Sequence, residues 1–385
     1  MSTPPSARST SRLPGYSALV LIPAALLLLA GFVPNLPAAG PVILPTPTAT
    51  ITSPPSGITN PKIGLHTRLA DEPDPDKIHQ EFAMLHDMGA SWATEFFPWL
   101  YIQPFDKDRY DWTHADLVVD AAAAEGITLI ARLDGVPTWA RPANTTWKYL
   151  DPDHYADYAS FVRAFVERYH DRVHYYIIWN EPNTAAEWGG RKPDPAAYAA
   201  LLKQAYPAAK SADPTAVVLL AGLAPNLEGD NSTLALDDLV YLARLYDEGA
   251  APYFDGVAAH SYGLQSPPGD PSAPDSLNFA RVIELHNVMV SWGDVNKAVY
   301  ITEGGWNDSP RWSYAVRPYQ RIQYTIDAYK LAAGWDWCKA VTLWMSRLPA
   351  PANTYFDNYT FLTPDFIPKA IYLEVQRYAH GEEAP

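Results

Sequence analysis

Residues 174–183 read HYYIIWNEPN, a run of aromatic and β-branched side chains that stops at a short polar motif. Such a run is typical of a buried strand, and Pro182 prevents the strand from continuing through the motif. The amphipathic pattern over residues 195–211 then predicts a helix. The stretch is therefore one strand-then-helix unit that carries polar side chains at the end of its strand.

The same unit repeats along the chain. Strands are predicted at residues 63–66, 92–97, 128–133, 174–179, 216–221, 256–260, 298–302 and 340–344. Helices are predicted at residues 76–88, 114–125, 154–170, 195–211, 236–248, 277–292, 319–333 and 368–378. Eight such repeats favour a closed (β/α)8 TIM barrel over an open doubly wound sheet. No GxGxxG motif follows the first strand, which also argues against a dinucleotide-binding sheet.

The composition narrows the classes of function. The 385 residues carry a formal net charge of -15, and nucleic-acid-binding proteins instead show basic patches. Thirteen Trp and 24 Tyr residues supply many flat rings that can pack in a core or stack on ring-shaped ligands. Cys338 is the single cysteine, so the chain contains neither an intrachain disulfide nor a CxxC site, and we expect a buried, unreactive thiol.

The beginning of the chain has the pattern of an export segment. Arg8 and Arg12 precede an uncharged apolar run over residues 18–33, which is typical of a signal peptide or a short membrane anchor. A stretch rich in Pro, Thr and Ser follows and predicts an extended stalk. We therefore predict an export signal or anchor over residues 1–40, a linker over 41–61 and a catalytic barrel over 62–385. The predicted location is extracytoplasmic, secreted or tethered to the membrane.

Active residues of (β/α)8 barrels lie where strands end and the following loops begin. At the predicted strand ends the sequence places a set of polar and aromatic groups able to face one cavity: His66, Glu95, Arg132, Asp134, Asn180, Glu181, His260, Tyr262, Glu303 and Trp344. Two of them, Glu181 after the fourth strand and Glu303 after the seventh, lie on opposite sides of a barrel mouth. Hydrolysis of an acetal needs two carboxyl groups that flank the bond, one protonated and one ionised. This pair meets that need.

Two motifs together resemble those of clan A of the glycoside hydrolases. They are WNEP at residues 179–182 and TEGGW at residues 302–306. The segments FPWL at 97–100, YDW at 110–112 and LDGVPTWA at 133–140 are similar to the β-xylosidase-like and cellulase-like branches. The resemblance implies a retaining enzyme in which Glu181 is the general acid/base and Glu303 the nucleophile. It also implies a carbohydrate substrate, a β-linked or equivalent 1,2-trans glycoside, and no cofactor or metal.

The resemblance assigns expected roles to further residues. Asn180 is expected to bind the sugar 2-hydroxyl, and Trp344 to form the floor under the sugar ring that is attacked. His260 is expected to bond to the carboxylates or to the substrate. Tyr262, two residues further along an extended strand, is expected to donate its hydroxyl to Glu303. Trp139 and Trp306 are candidate walls of the cleft.

One position departs from the family pattern. Related chains carry a basic residue near the end of the second strand, whereas this chain reads TEF at residues 94–96. Arg132 on the third strand is a candidate for the missing positive charge, although pairing of Arg132 with Asp134 on the same strand face is an alternative. His66 at the end of the first strand is a further candidate for substrate binding, and the role of Glu95 stays open.

Three other classes of function remain open from the sequence. A metal hydrolase is disfavoured because the ten His residues show no HxH or HExxH spacing. A carbohydrate-binding surface protein with little turnover would keep the barrel, and a transglycosylase would share the covalent step and differ in its acceptor.

Overall fold

The computed structural model describes residues 57–382. Within them, eight parallel strands close into a barrel in sequence order, and each strand pairs with the next. The strands are β1 (Ile63–His66), β2 (Trp92–Pro98), β3 (Thr128–Asp134), β4 (Tyr175–Ile178), β5 (Val217–Leu223), β6 (Gly256–Tyr262), β7 (Ala298–Gly305) and β8 (Cys338–Trp344). The prediction of a (β/α)8 TIM barrel is confirmed.

Helices surround the barrel. They are α1 (Pro75–Met88), α2 (Trp99–Ile102), α3 (Thr113–Ala124), α4 (Tyr155–Tyr169), α5 (Pro195–Ala212), α6 (Asp238–Asp247), α7 (Arg281–Ser291), α8 (Pro318–Ala333) and α9 (Ala370–Ala379). The sequence pattern identifies every long helix and misses α2, whose single turn is too short to show a period. Helix α6 begins at Asp238 because the side chain of Asp237 accepts from two backbone N–H groups of its first turn.

The barrel separates two hydrophobic layers. Most of the core lies between the strands and the helices, whereas a small inner cluster of Ile130, Ile177, Leu219, Ala258, Tyr300 and Ala340 fills the barrel itself. Trp92 and Tyr175 pack edge-on at 5.1 Å and, with Tyr300, close the amino-terminal end of the barrel. Cys338 is buried at the start of β8, as predicted.

The predicted export segment and nearly all of the predicted linker lie outside the described residues. Among residues 57–382, no helix is both long and apolar enough to cross a membrane. The first described residues lead directly into the barrel, because Thr59 donates its backbone N–H to Ala379 and β1 starts at Ile63.

A buried cluster joins the loop after β8 to α1. The guanidinium of Arg347 contacts Glu81 at 2.9 Å and Glu72 at 2.7 Å, and Ser346 donates its hydroxyl to Glu81. One cation therefore serves two buried carboxylates. Burial, the largest cause, raises the pKa of Glu81 to about 7 even though Arg347 opposes the shift.

This raised pKa predicts a stability that depends on pH. Because the folded state holds the proton on Glu81 more tightly than the unfolded chain, the stabilisation is present below about pH 4.5 and is lost as pH rises through about 7. We expect the free energy of unfolding of the wild type to fall by on the order of 1–3 kcal/mol across this window relative to Glu81→Gln. Urea unfolding of both proteins at several pH values measures the difference, and parallel curves would contradict it.

Candidate active site

The carboxyl ends of the strands bring eight of the residues to which the sequence assigns a role at the site into one cluster, and Trp139 and Trp306 lie outside it. His66, Arg132, His260, Tyr262, Glu303 and Trp344 come from five different strands, and Asn180 and Glu181 follow β4 directly. Each of the eight is linked to the cluster by a contact described below. Rigid strands therefore hold the site on several sides, as is usual in this fold.

The two carboxylates lie close together. One oxygen of Glu181, one oxygen of Glu303 and a ring nitrogen of His260 are all within 4.8 Å of one another. Glu181 is 6% exposed and Glu303 is 7% exposed, so little water separates their charges. Two carboxylates this close in a buried site are not both readily ionised, because their repulsion is weakly screened.

Glu303 is surrounded by donors and positive groups. Its Oε1 accepts from Nη1 of Arg132 at 3.0 Å, and its Oε2 accepts from the Tyr262 hydroxyl at 2.9 Å. Nε2 of His66 lies 3.9 Å from the same Oε1. Arg132 therefore supplies the charge that the second strand lacks, while it also contacts Asp134 at 3.1 Å. The two interpretations of Arg132 offered by the sequence are both realised.

Glu181 contacts His260, whose Nδ1 also lies 3.7 Å from Oε2 of Glu303. Oε1 of Glu181 lies 2.7 Å from Nδ1 of His260, at hydrogen-bonding distance. His260 packs against Gly222, where a Cβ atom would lie 2.2 Å from the ring Nε2, so this close approach requires glycine. Trp179 and Glu181 both have positive φ, 77° and 39°, which costs about 1–3 kcal/mol each at a non-glycine residue. The strain turns the chain at the end of β4, which is why that strand ends at Ile178 rather than at Trp179 as predicted.

The surroundings shift the two carboxyl groups in opposite directions. Burial raises the pKa of Glu181, and its hydrogen bond with His260 opposes the shift only partly. Burial would also raise the pKa of Glu303, but His260, His66 and Arg132, together with the Tyr262 hydroxyl, hold it below its ordinary value. Burial beside Arg132 lowers the pKa of His66 to about 3, so His66 is neutral near pH 7. Arg132 and Tyr262 are therefore the stabilising partners of Glu303 that do not depend on a protonated imidazole.

Asn180 and Trp344 border the carboxylates. Asn180 accepts from Arg132 at 3.2 Å through its side-chain oxygen and donates one amide hydrogen to Glu187 at 3.2 Å, which leaves its second amide hydrogen for a ligand. The Trp344 ring is half-buried and meets His66 edge-on at 4.6 Å. Both positions are compatible with the expected contacts to a sugar.

The structure separates two predicted wall residues from this cluster. Trp306 is 2% exposed, packs beside Phe279 at 5.5 Å and donates its indole N–H to Ser266, so it belongs to the core rather than to a sugar-binding wall. Trp139 packs edge-on against Trp99 at 5.3 Å and donates to the Gln103 carbonyl. Trp306 and Trp139 come soon after β7 and β3 in the sequence, but the loops direct their rings into the hydrophobic core between the strands and the helices.

Glu95 also differs from the expectation that its side chain could face the cavity. Its carboxylate accepts from the Thr67 hydroxyl at 2.6 Å and from the backbone N–H of Leu69 at 2.9 Å. The side chain therefore holds the loop after β1.

Two charged residues were missed by the sequence analysis. Lys148, in the loop after β3, contacts Asp134 at 2.7 Å and Glu187 at 2.6 Å, and Glu187 comes from the loop after β4. Both are buried beside the predicted site. Neither lies at a strand end or in a recognisable motif, so their position could not be predicted from the sequence.

The donor types in the site also raise the question of a metal ion. Within residues 57–382, Glu181, His260 and Glu303 form one group with metal-ligand spacing. Both oxygens of Glu303 already accept from protein donors, one of them the cationic Arg132, and Glu181 is bonded to His260. A cation would compete with that guanidinium, so these residues fit an acid–base pair better than a metal centre.

Solved structures of several glycoside hydrolases have a similar fold. A family 39 glycoside hydrolase from the gut symbiont Bacteroides cellulosilyticus WH2 superposes with a TM-score of 0.64 at 20% identity, covering 83% of this chain and 64% of that one. GH5_18 from Streptomyces cattleya, solved in complex with GlcNAc, gives a TM-score of 0.60 at 18% identity, with 85% and 82% covered. Native xylanase 10B from Thermotoga maritima gives 0.58 at 15% identity, with 86% and 98% covered.

The sequence comparisons find no relative. No protein-family model matches the chain, and no curated protein matches it. The likeness to solved structures is therefore one of fold.

The Tyr262 hydrogen bond predicts a measurable change in Glu303. We expect Tyr262→Phe to raise the pKa of Glu303 by about one unit, because the ionised carboxylate loses a donor that stabilises it. Titration of the side-chain carboxyl carbon by NMR measures this. Tyr359→Phe is the matched control, since the Tyr359 ring packs against Tyr262 at 5.8 Å and leaves the Tyr262–Glu303 hydrogen bond in place. An unchanged pKa in Tyr262→Phe would contradict the assignment.

The fold and the arrangement at the strand ends lead to one structural conclusion: the chain is a (β/α)8 barrel of the kind found in clan A glycoside hydrolases.

Proposed function

We propose that this protein is a retaining glycoside hydrolase that cleaves β-linked or equivalent 1,2-trans O-glycosidic bonds of oligo- or polysaccharides. The observation that carries the proposal is the pair Glu181 and Glu303, buried within 4.8 Å of each other with pKa values shifted in opposite directions. Carboxyl groups about 5–5.5 Å apart suit retention, whereas inversion needs about 6.5–9.5 Å to admit a water molecule between substrate and base. The spacing here favours retention.

The first step uses the two groups in different protonation states. Glu181, with its raised pKa, donates a proton to the glycosidic oxygen as the bond to the anomeric carbon breaks. Glu303, ionised beside Arg132 and Tyr262, forms a bond to that carbon from the opposite face. The products of this step are the free leaving group and a covalent glycosyl-enzyme.

The second step reverses the roles. Once Glu303 is esterified it carries no charge, so the repulsion that helps to raise the pKa of Glu181 disappears. Glu181 then accepts a proton from water while the water oxygen bonds to the anomeric carbon and releases Glu303. Inversion at each step gives net retention of configuration.

Alanine variants of the full-length protein test this mechanism on a panel of aryl β-glycosides. We expect Glu303→Ala to lose turnover and azide to restore a glycosyl azide of inverted configuration. We expect Glu181→Ala to lose about 10²–10⁴-fold on poor leaving groups and far less on activated ones, because general acid catalysis matters least there. With azide, Glu181→Ala should yield a product of retained configuration.

Controls accompany these variants. Glu167→Ala removes an exposed carboxylate, 65% of whose side chain is accessible, and should leave kcat/KM unchanged. Treatment with EDTA should also have no effect. Undiminished turnover of Glu303→Ala would sink the mechanism, products elongated by added sugar acceptors would identify a transglycosylase, and binding of sugars without turnover would identify a binding protein.

The location of the enzyme is a separate proposal. We propose that residues 1–40 send the barrel out of the cytoplasm, because basic residues precede an uncharged apolar run there. Fractionation of cells that express the chain with and without residues 1–40 tests this. Full-length protein in the extracytoplasmic or membrane fraction, with the shortened form in the cytoplasm, is the expected result, and an identical distribution would contradict it.

A further inference from the structure

Five buried side chains beside Glu303 form a closed ring of contacts, called here the charge ring. Arg132 contacts Asp134 at 3.1 Å, Asp134 contacts Lys148 at 2.7 Å, and Lys148 contacts Glu187 at 2.6 Å. Glu187 accepts from Asn180 at 3.2 Å, and Asn180 accepts from Arg132 at 3.2 Å. The charged side chains are at most 10% exposed, so the ring operates with little screening by water.

The charge ring connects β3, the loop after β3 and the loop after β4. Arg132 and Asp134 lie on β3, Lys148 in the loop after it, and Asn180 and Glu187 beyond β4. Arg132 donates to Glu303, and Asn180 is the expected contact of the sugar. Any change of charge within the ring therefore reaches Glu303 through Arg132.

The charge balance explains why Lys148 matters. Arg132 lies between two carboxylates, Asp134 and Glu303, and its Nε–Asp134 contact is an ion pair without hydrogen-bond alignment. Its Nη1 is instead directed at Glu303 and Asn180. Lys148 supplies Asp134 with a second, closer cation, so Asp134 does not draw the guanidinium away from Glu303.

Lys148 is itself held in place on every side. Its ammonium lies 4.2 Å from the centre of the Trp147 ring and 5.5 Å from the centre of the Phe96 ring. The guanidinium of Arg132 also lies over the Phe96 ring, 4.8 Å from its centre. Glu187 takes up the remaining ionic contact and at the same time orients the Asn180 amide. The charge ring thus orients the Arg132 guanidinium and the Asn180 side-chain amide.

We propose that Asp134, Lys148 and Glu187 are positioning residues of this enzyme, which keep Arg132 on the nucleophile Glu303 and keep one Asn180 amide hydrogen free for the substrate. The proposal rests on the proposed glycosidase function, gives a role to Asp134 at the end of β3 and adds Lys148 and Glu187, which no strand-end motif identifies. It also accounts for the absence of a basic residue near the end of β2. Glu95 lies there instead, and its carboxylate holds the loop after β1. Arg132 on β3 can serve Glu303 because the neighbouring carboxylate of Asp134 is paired with Lys148.

The proposal predicts opposite effects for two substitutions. With Glu303 included, the group has two cations and three carboxylates, a net charge of -1. Lys148→Met makes it more negative and frees Asp134 to compete for Arg132, so the pKa of Glu303 rises. Asp134→Asn makes the group neutral and removes the carboxylate that competes with Glu303 for Arg132, so the pKa of Glu303 falls. The other titratable groups facing Glu303, namely His66, Glu181, His260 and Tyr262, are unchanged in both variants.

The experiment measures the pH dependence of kcat/KM for the full-length protein and the two variants. In Lys148→Met the acid limb should move up by about one pH unit or more, and kcat/KM at its optimum should fall about 10- to 100-fold. In Asp134→Asn the acid limb should move down. Lys330→Met, which removes a lysine whose side chain is 54% exposed, is the matched control and should behave as wild type.

The two directions separate positioning from a merely structural role. Loss of packing lowers activity in both variants without moving the acid limb in opposite senses. A folded Lys148→Met protein with an unshifted acid limb, or shifts of the same sign in the two variants, would overturn the proposal. If Lys148→Met does not fold, Asp134→Asn carries the test, and an acid limb that stays in place or moves up in that variant overturns the proposal.

A second readout does not depend on turnover. Titration of the Glu303 carboxyl carbon by NMR should show the same opposite shifts in the two variants. If the wild type hydrolyses no glycoside while these shifts are present, the proposed function fails and the charge ring stands. If the wild type is active and the shifts are absent, only the charge ring fails.

Discussion

The repulsion between two buried carboxylates is the constraint on which the rest of this site depends. Glu181 and Glu303 approach within 4.8 Å in a region almost closed to water, so one of them keeps its proton unless positive charge is supplied. The structure supplies that charge unequally. Arg132 contacts Glu303 directly, whereas among the described residues the positive partner beside Glu181 is the imidazole of His260, which Glu181 shares with Glu303. The asymmetry separates a carboxyl group of raised pKa from one of lowered pKa, which is the electrostatic requirement of the proposed cleavage of a glycosidic bond by two carboxyl groups.

The barrel makes this asymmetry possible because it brings distant residues to one rigid edge. Glu303 lies on β7 and Arg132 on β3, on opposite sides of the closed sheet, so their side chains meet above the inner hydrophobic cluster. Backbone strain at Trp179 and Glu181 is retained beside the same edge. Such strain persists where the surrounding packing over-determines the conformation, and Gly222 shows how tight that packing is.

Much of this arrangement could be predicted from residues with a strong local signal. The alternation of apolar strands and amphipathic helices predicted the barrel, and the motifs after β4 and β7 identified Glu181 and Glu303. The contact of Tyr262 with Glu303 followed from the two-residue period of a strand. Trp306 shows the limit of this reasoning, because its place after a strand end did not reveal that its loop turns the ring into the core.

The sequence by itself determined the fold and the identities of the two carboxylates, since both depend on patterns that repeat or stand together within a few residues. Only the tertiary structure decided which groups compensate the charges. Lys148 and Glu187 lie in loops with no periodic pattern, and they meet Asp134 and Asn180 because the closed barrel brings those loops side by side. A buried ion contact depends on distance in space and on the exclusion of water, and neither is encoded in any short stretch of chain.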